Sequence, residues 1–146
     1  MLAVMTDSET LYERVGGEQF FETLTRHFYD TMSDDQVVRP LYPDEAEAYE
    51  TARLQLKWFL MQYWGGPPVY LQRRGVPALR RRHAPYVIGA RESGAWLHHM
   101  TEAVKAAHPG AEEEAELLTY FEMAATALVN AVPPAANPGA AHGGDC

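Results

Sequence analysis

Apolar positions recur three and four residues apart along much of the chain, a pattern typical of helices that bury one face. The clearest stretch is 18–32, which we predict to be a single helix. Its core face would carry Phe21, Leu24, Thr25, Phe28, Tyr29 and Met32. A shorter helix is predicted over 8–15, with Ser8 as its N-cap and Gly16 as its stop. The sequence has no alternating run of β-branched residues with hairpin turns, so we expect an all-α fold.

Prolines and glycines set the limits of the other predicted helices. Gly65 and Gly66 end a long helix over 44–64, and Pro85 ends a short helix at His83. That short helix would hold Pro77 in its first turn, where the proline ring fits. Two more helices are predicted over 92–107 and 112–132.

Two segments show no helical pattern. Residues 65–76 are predicted to be irregular, and an irregular stretch this long within a helical bundle usually wraps around or covers a site. Residues 133–146 consist mainly of Pro, Ala and Gly, so we predict a disordered tail there.

Size and composition favour one globular domain. The chain has 146 residues, of which 47% are apolar and 22% charged. No apolar run approaches the roughly 18 residues that a membrane span needs, and the apolar start Met1–Met5 lacks the basic flank of a signal peptide. A single cysteine, Cys146, leaves no disulfide framework and no CxxC motif. We expect a cytoplasmic protein that does not enter a membrane.

The charges are unevenly distributed. The formal net charge is −8, which argues against a nucleic-acid binder. Residues 73–91 nevertheless hold six of the twelve basic residues and no Asp or Glu. This excess indicates that the window holds something anionic, such as a phosphate or the carboxylates of a cofactor, although a solvated loop explains it equally well.

His83 is the histidine with the most informative neighbours. It follows three arginines and precedes Ala-Pro-Tyr, whereas the six histidines of the chain form no HExxH or ExxH pair. One neutral imidazole is a sufficient protein ligand for haem iron. Haem also needs cations for its two propionates, an apolar slot, and polar donors if O₂ is to be held. The chain has residues of each kind, although ordinary core packing explains any one of its aromatic residues taken alone.

At this level of detail the sequence closely resembles the group II truncated haemoglobins of actinobacterial type. The resemblance covers about residues 10–132 and is strongest in two blocks, QYWGGP at 62–67 and RHAPY at 82–86. The other matching stretches are VGG at 15–17, RHFY at 26–29, LYP at 41–43, AWL at 95–97 and the segment from Met123 to Asn130.

The resemblance implies a shortened globin fold, in which two helices pack over two around haem b. Residues 1–9 would be an N-terminal extension, 10–132 the globin domain and 133–146 the tail. In this family a loop replaces most of the helix before the iron-binding histidine, which would account for the irregular stretch, and the iron ligand would be His83.

The resemblance also implies the surroundings of the cofactor. Tyr29, Tyr42 and Trp96 would donate hydrogen bonds to the iron-bound ligand, with Ala52 and Leu56 beside it. Propionate pairing would fall on Arg82 and Tyr70, with Arg53 or Lys57 as further cations. The remaining expected haem contacts are Phe59, Leu60, Tyr63, Leu79, Tyr86, Met100 and Leu128.

Two or three such donors would slow O₂ release roughly 10- to 1000-fold, because each contributes about 0.5–1.5 kcal/mol or more in a dry pocket. We therefore expect reversible, high-affinity binding of O₂, CO and NO, with an unidentified reductase as partner. A haem enzyme acting on peroxide or nitric oxide is the alternative. A helical module without haem, binding an anionic partner through Arg73–Arg91, is a remote third. The sequence leaves self-association open.

Overall fold

The computed structural model describes residues 9–131, and all regular secondary structure in this part of the chain is helical. Thr10 begins α1 by a reciprocal cap: its hydroxyl accepts from the Glu13 amide at 3.2 Å, and the Glu13 carboxylate accepts from the Thr10 amide at 3.1 Å. The α-helices are α1 (Leu11–Arg14), α2 (Glu18–Met32), α3 (Ala46–Tyr63), α4 (Val69–Arg74), α5 (Leu79–His83), α6 (Ala90–Ala106) and α7 (Ala111–Ala127), with a 3₁₀ turn at Arg39–Leu41.

Four long helices build the core, as the predicted two-over-two arrangement requires. Helix α2 packs against both α3 and α6, and α6 packs against α7. The predicted face of α2 is the buried one, and Phe21, Leu24, Phe28 and Met32 are all fully buried. They meet a matching set of buried side chains on the other long helices, namely Leu60, Met100, Val104, Leu117 and Phe121. Burial of such side chains contributes about 1.5–3 kcal/mol each and is the main source of stability here.

The structure corrects three predicted helix limits. Helix α1 begins at Leu11 after the Thr10 cap, so the start at Ser8 is wrong. Helix α5 begins at Leu79, and Pro77 lies before the helix, because Ala78 takes a left-handed conformation with φ 42°. The last helix ends at Ala127 and not near 132.

The segment 65–76 is less irregular than predicted. It contains the six-residue helix α4, which ends where Gly75 takes φ 81°, a conformation that favours glycine. The sequence shows no helical period here, because a helix of six residues makes fewer than two turns. The segment still leads the chain directly to α5, which carries His83.

None of the helices within 9–131 has the length and hydropathy of a membrane span. The predicted tail at 133–146, Cys146 and nearly all of the predicted N-terminal extension lie outside the described residues.

Candidate functional site

A cavity of about 710 Å³ lies among the helices α2 to α7. Its volume is typical of a pocket that encloses a cofactor. Most of the residues expected around haem line it: Tyr29, Tyr42, Ala52, Leu56, Phe59, Leu60, Tyr70, Leu79, Arg82, His83, Tyr86, Trp96 and Leu128. The fold thus brings together residues that are up to 99 positions apart in sequence.

Two expected contacts lie elsewhere. Met100 is completely buried in the core between the long helices, because it sits on the side of α6 that meets α2. Tyr63 is at the end of α3, is half exposed, and packs at a tilt against Tyr120 with ring centroids 4.3 Å apart. It is Tyr120 that lines the cavity in its place.

Helix α5 orients the imidazole of His83 by a hydrogen bond within the helix. Nδ1 lies 2.7 Å from the carbonyl oxygen of Leu79, one turn earlier. A carbonyl can only accept, so Nδ1 carries the proton and donates it. The lone pair of the neutral ring is then on Nε2, the arrangement that metal-ligating histidines use.

Two side chains clamp the backbone on either side of His83. Before it, the guanidinium of Arg82 donates to the carbonyl oxygens of Pro77 at 2.6 Å, Arg74 at 2.9 Å and Val76 at 3.0 Å. After it, the Asn130 amide donates to the carbonyl oxygens of His83 at 3.2 Å and Tyr86 at 2.9 Å, and its Oδ1 accepts from the Ile88 amide at 2.9 Å. A five-residue helix is marginal by itself, so these bonds hold it in place.

The hydroxyl and indole donors form one aromatic cluster. The Tyr29 ring meets that of Tyr42 edge-on, with centroids 5.5 Å apart, and Phe28 meets Trp96 edge-on at 5.3 Å. Burial raises the pKa of Tyr29 well above its ordinary value, and the neighbouring Tyr42 adds to the rise. Burial also raises the pKa of Tyr42 to about 12, although hydrogen bonding with Trp96 and Tyr29 acts in the opposite direction. Both phenols therefore remain neutral donors at physiological pH.

Tyr49 supports this cluster and was not expected from the sequence. Its hydroxyl donates to the backbone carbonyl of Tyr29 at 2.7 Å, and its ring packs edge-on against Tyr29 and Tyr42 with centroids 5.0 and 5.9 Å away. The guanidinium of Arg39 lies 4.0 Å from the centre of the Tyr49 ring. The sequence signal for Tyr49 is its spacing: it precedes Ala52 by three residues and so lies on the same face of α3.

Arg53 and Lys57 do not line the cavity, so the expected propionate role for them is wrong. Arg53 is 3% exposed and contacts the carboxylates of Glu22 at 3.1 Å and Glu50 at 2.6 Å. Lys57 contacts Glu18 at 2.8 Å and Glu22 at 2.9 Å. The hydrogen bond from Lys57 is the largest cause that lowers the pKa of Glu22, to about 2. These residues staple α2 to α3 on the other face of α3.

Arg74, Arg82 and Tyr70 line the cavity and belong to the residue types that can meet anionic groups. The Arg74 and Arg82 guanidinium carbons lie 5.9 and 5.7 Å from the centre of the Tyr70 ring. The guanidinium of Arg82 already donates hydrogen bonds to three backbone carbonyls, so its main role is to hold the backbone before His83. Sequence reasoning missed this, because a spacing does not reveal side-chain bonds to backbone carbonyls.

Comparison with known proteins agrees with this geometry. The family model described as "Bacterial-like globin" matches residues 10–130. The group 2 truncated hemoglobin YjbI of Bacillus subtilis is 38% identical over 82% of this chain and 87% of its own. The solved thermostable hemoglobin from Thermobifida fusca is 49% identical with a TM-score of 0.80, covering 84% of this chain and 98% of that one. A truncated oxygen-avid haemoglobin from Bacillus subtilis is 31% identical with a TM-score of 0.78, covering 84% and 100%. The chain therefore belongs to the bacterial-like globins, a haem-binding family, and within it to the group II truncated haemoglobins.

Proposed function

We propose that this protein binds O₂ reversibly at haem b, with high affinity and slow release, and that CO and NO bind at the same position. One observation carries the proposal. A single imidazole with a free Nε2 lines the same cavity as two neutral phenols and an indole. The oxygen-avid haemoglobin of Bacillus subtilis, to which the chain is similar, supports it.

The cavity residues fit haem. The walls of the cavity are mainly apolar, with Leu56, Phe59, Leu60 and Leu128 among them. His83 would hold the haem iron through Nε2, and Arg74 and Tyr70 would hold the propionates. When bound, haem supplies an iron centre that binds a diatomic ligand and transfers electron density to it.

The aromatic cluster would act on that ligand. The phenol O–H groups of Tyr29 and Tyr42 and the indole N–H of Trp96 would donate hydrogen bonds to a diatomic ligand bound in the cavity. With haem filling the cavity these groups would be shielded from bulk water, and a hydrogen bond is stronger there than in solution. Tyr49 keeps Tyr29 in position through its backbone carbonyl, so the donors need little rearrangement when a ligand enters.

Ligand binding is favoured over peroxide chemistry by the identity of the other lining residues. Among the described residues that line the cavity, His83 is the only histidine. If it ligates iron, no imidazole is left beside the ligand to act as general acid or base. The position expected to face the ligand on α3 is Ala52, which cannot transfer a proton. We also place the protein in the cytoplasm, on the sequence grounds given above.

The test is the O₂ dissociation rate of the ferrous holoprotein, measured by stopped flow. Tyr42→Phe and Trp96→Phe each remove one donor, and each should raise the rate roughly 2- to 10-fold. Tyr63→Phe removes a phenol outside the cavity and should leave the rate unchanged. If Tyr42→Phe and Trp96→Phe both match the wild type, the assignment of these donors is wrong.

A further inference from the structure

A second apolar groove, of about 490 Å³, lies on the outer surface between α5 and α7. From α5 and the residue before it come Ala78, Leu79, Arg80 and Arg81, and from α7 and its C-cap come Tyr120, Met123, Ala124, Ala127 and Leu128. Met123 is 58% exposed and adds a large apolar side chain to the groove surface. None of the roles proposed above uses this groove.

The groove and the cavity share a wall. The residues that line both of them are Leu79, Tyr120, Ala124 and Leu128. The groove thus lies behind the helix that carries His83, and a single layer of side chains separates a molecule docked there from the cavity. Electron transfer to haem requires such a short separation.

Charge indicates what would dock in the groove. Arg80 and Arg81 are exposed, and neither forms an ion pair with any residue in the described range 9–131. They belong to the window 73–91, which has six arginines and no acid in a chain of net charge −8. An apolar centre with a charged rim is the anatomy of a protein interface, in which Arg and Met are enriched. The rim is complementary to an acidic partner, and the acidic remainder of the chain would repel that partner from other faces.

We propose that the groove between α5 and α7 docks an acidic one-electron donor protein that reduces the iron of haem in the adjacent cavity. This rests on the proposed haem site. In each encounter the donor loses one electron and ferric iron gains it; no bond forms or breaks and no proton is needed at the iron. The reaction restores the ferrous form, which is the form that binds O₂.

Reduced flavodoxin, an acidic flavoprotein, is the probe. Anaerobic stopped flow gives the rate at which it reduces the ferric holoprotein at low and high salt. The variant Arg80→Glu with Arg81→Glu reverses both rim charges and should lower the bimolecular rate about tenfold or more at low salt. The wild-type rate should fall as salt is added. Calorimetry with oxidised flavodoxin should show weaker binding of the variant without any electron transfer.

The control changes the net charge by the same amount elsewhere. Arg91 and Lys105 are exposed and lie outside the groove, so Arg91→Glu with Lys105→Glu should keep the flavodoxin rate within about twofold. Reduction by dithionite should be similar in all three proteins. The proposal is overturned if the groove variant matches the wild type or if the control variant loses as much rate.

Two other outcomes are distinct. If the groove variant changes the sedimentation coefficient while flavodoxin affinity stays the same, the groove belongs to a second copy of this chain and the proposal fails. If the wild-type protein takes up no haem, the proposed function itself is wrong. The Soret band shows haem uptake before any donor is added.

Discussion

The two sides of the cavity are built in different ways. The aromatic side, Tyr29, Tyr42 and Trp96, is carried largely by long helices whose packed faces form the core. The histidine side rests on α5, which has five residues. It is held by Arg82 from within the helix and by Asn130, which follows the last helix. The donors are therefore fixed by apolar packing, whereas the imidazole is fixed by side-chain bonds to backbone carbonyls.

This difference matters for how each side responds to change. A packed aromatic side resists local movement, because shifting one ring disturbs several neighbours. A helix held by a few exposed hydrogen bonds is easier to displace, since water competes for the same groups. Substitutions on the aromatic side should change ligand kinetics, and those on the histidine side should change how firmly the cofactor is held.

The largest effect is expected for His83→Gly. Loss of the axial imidazole should weaken haem retention by at least about 100-fold, and added free imidazole should partly restore the spectrum of the wild type. Transfer of haem to apomyoglobin gives the retention rate. His98→Ala, an exposed position on α6, is the control and should retain haem normally. Equal retention by His83→Gly and the wild type would place the ligand elsewhere.

Glu22→Gln should lower the free energy of unfolding by about 1–3 kcal/mol, because it leaves two buried cations with one partner fewer. Urea unfolding measures this loss. The folded pKa of Glu22 is about 2 against an ordinary value of 4.5, so its contribution is complete above pH 4.5 and fades as the pH falls toward 2. The difference in the free energy of unfolding between the variant and the wild type should therefore become smaller as the pH falls from 4.5 to 2.

Glu47→Gln is the matched control for this prediction. Glu47 is exposed on the same helix, and its carboxylate forms no ion pair with residues in 9–131. Its unfolding free energy should stay within about 0.5 kcal/mol of the wild type. If Glu22→Gln is equally neutral, the ion pairs between α2 and α3 do not stabilise the fold.

Asn130→Ala should cost about 1 kcal/mol of stability, since Asn130 is exposed and water replaces part of its bonding. It should also raise amide exchange over 83–88 and shift the iron–histidine stretching band of the ferrous holoprotein. Asn130→Asp keeps the acceptor for the Ile88 amide but loses both donors, so it should shift the band as well. An unchanged band in both variants would show that Asn130 does not position His83.

Tyr49→Phe is expected to have the smallest effect. It removes one hydrogen bond to the Tyr29 carbonyl while the ring packing remains, which is worth about 0.5–1 kcal/mol. The O₂ dissociation rate should rise about two- to fivefold through Tyr29. Tyr12 packs on Phe21 away from the cluster, so Tyr12→Phe should leave the O₂ dissociation rate unchanged. A comparable rise in that variant would show that Tyr49 does not position Tyr29.

The same difference between the two sides decided what could be predicted from the sequence. The 18–32 helix and its buried face were predicted correctly, because fifteen residues of clear period outweigh local propensity. Helix α4 and the start of α5 at Leu79 were predicted wrongly, since six residues show no period and the left-handed conformation of Ala78 has no sequence signal. Arg53 and Lys57 were misplaced because one step along a helix turns a side chain by about 100°.

The central claim is that the cavity holds haem through His83, and the most direct measurement is a titration of the wild-type chain with haem. We predict a Soret band that saturates at one haem per chain and, after reduction, shifts when CO is added. A chain that stays colourless, or a band that keeps rising beyond one equivalent without responding to CO, would contradict it.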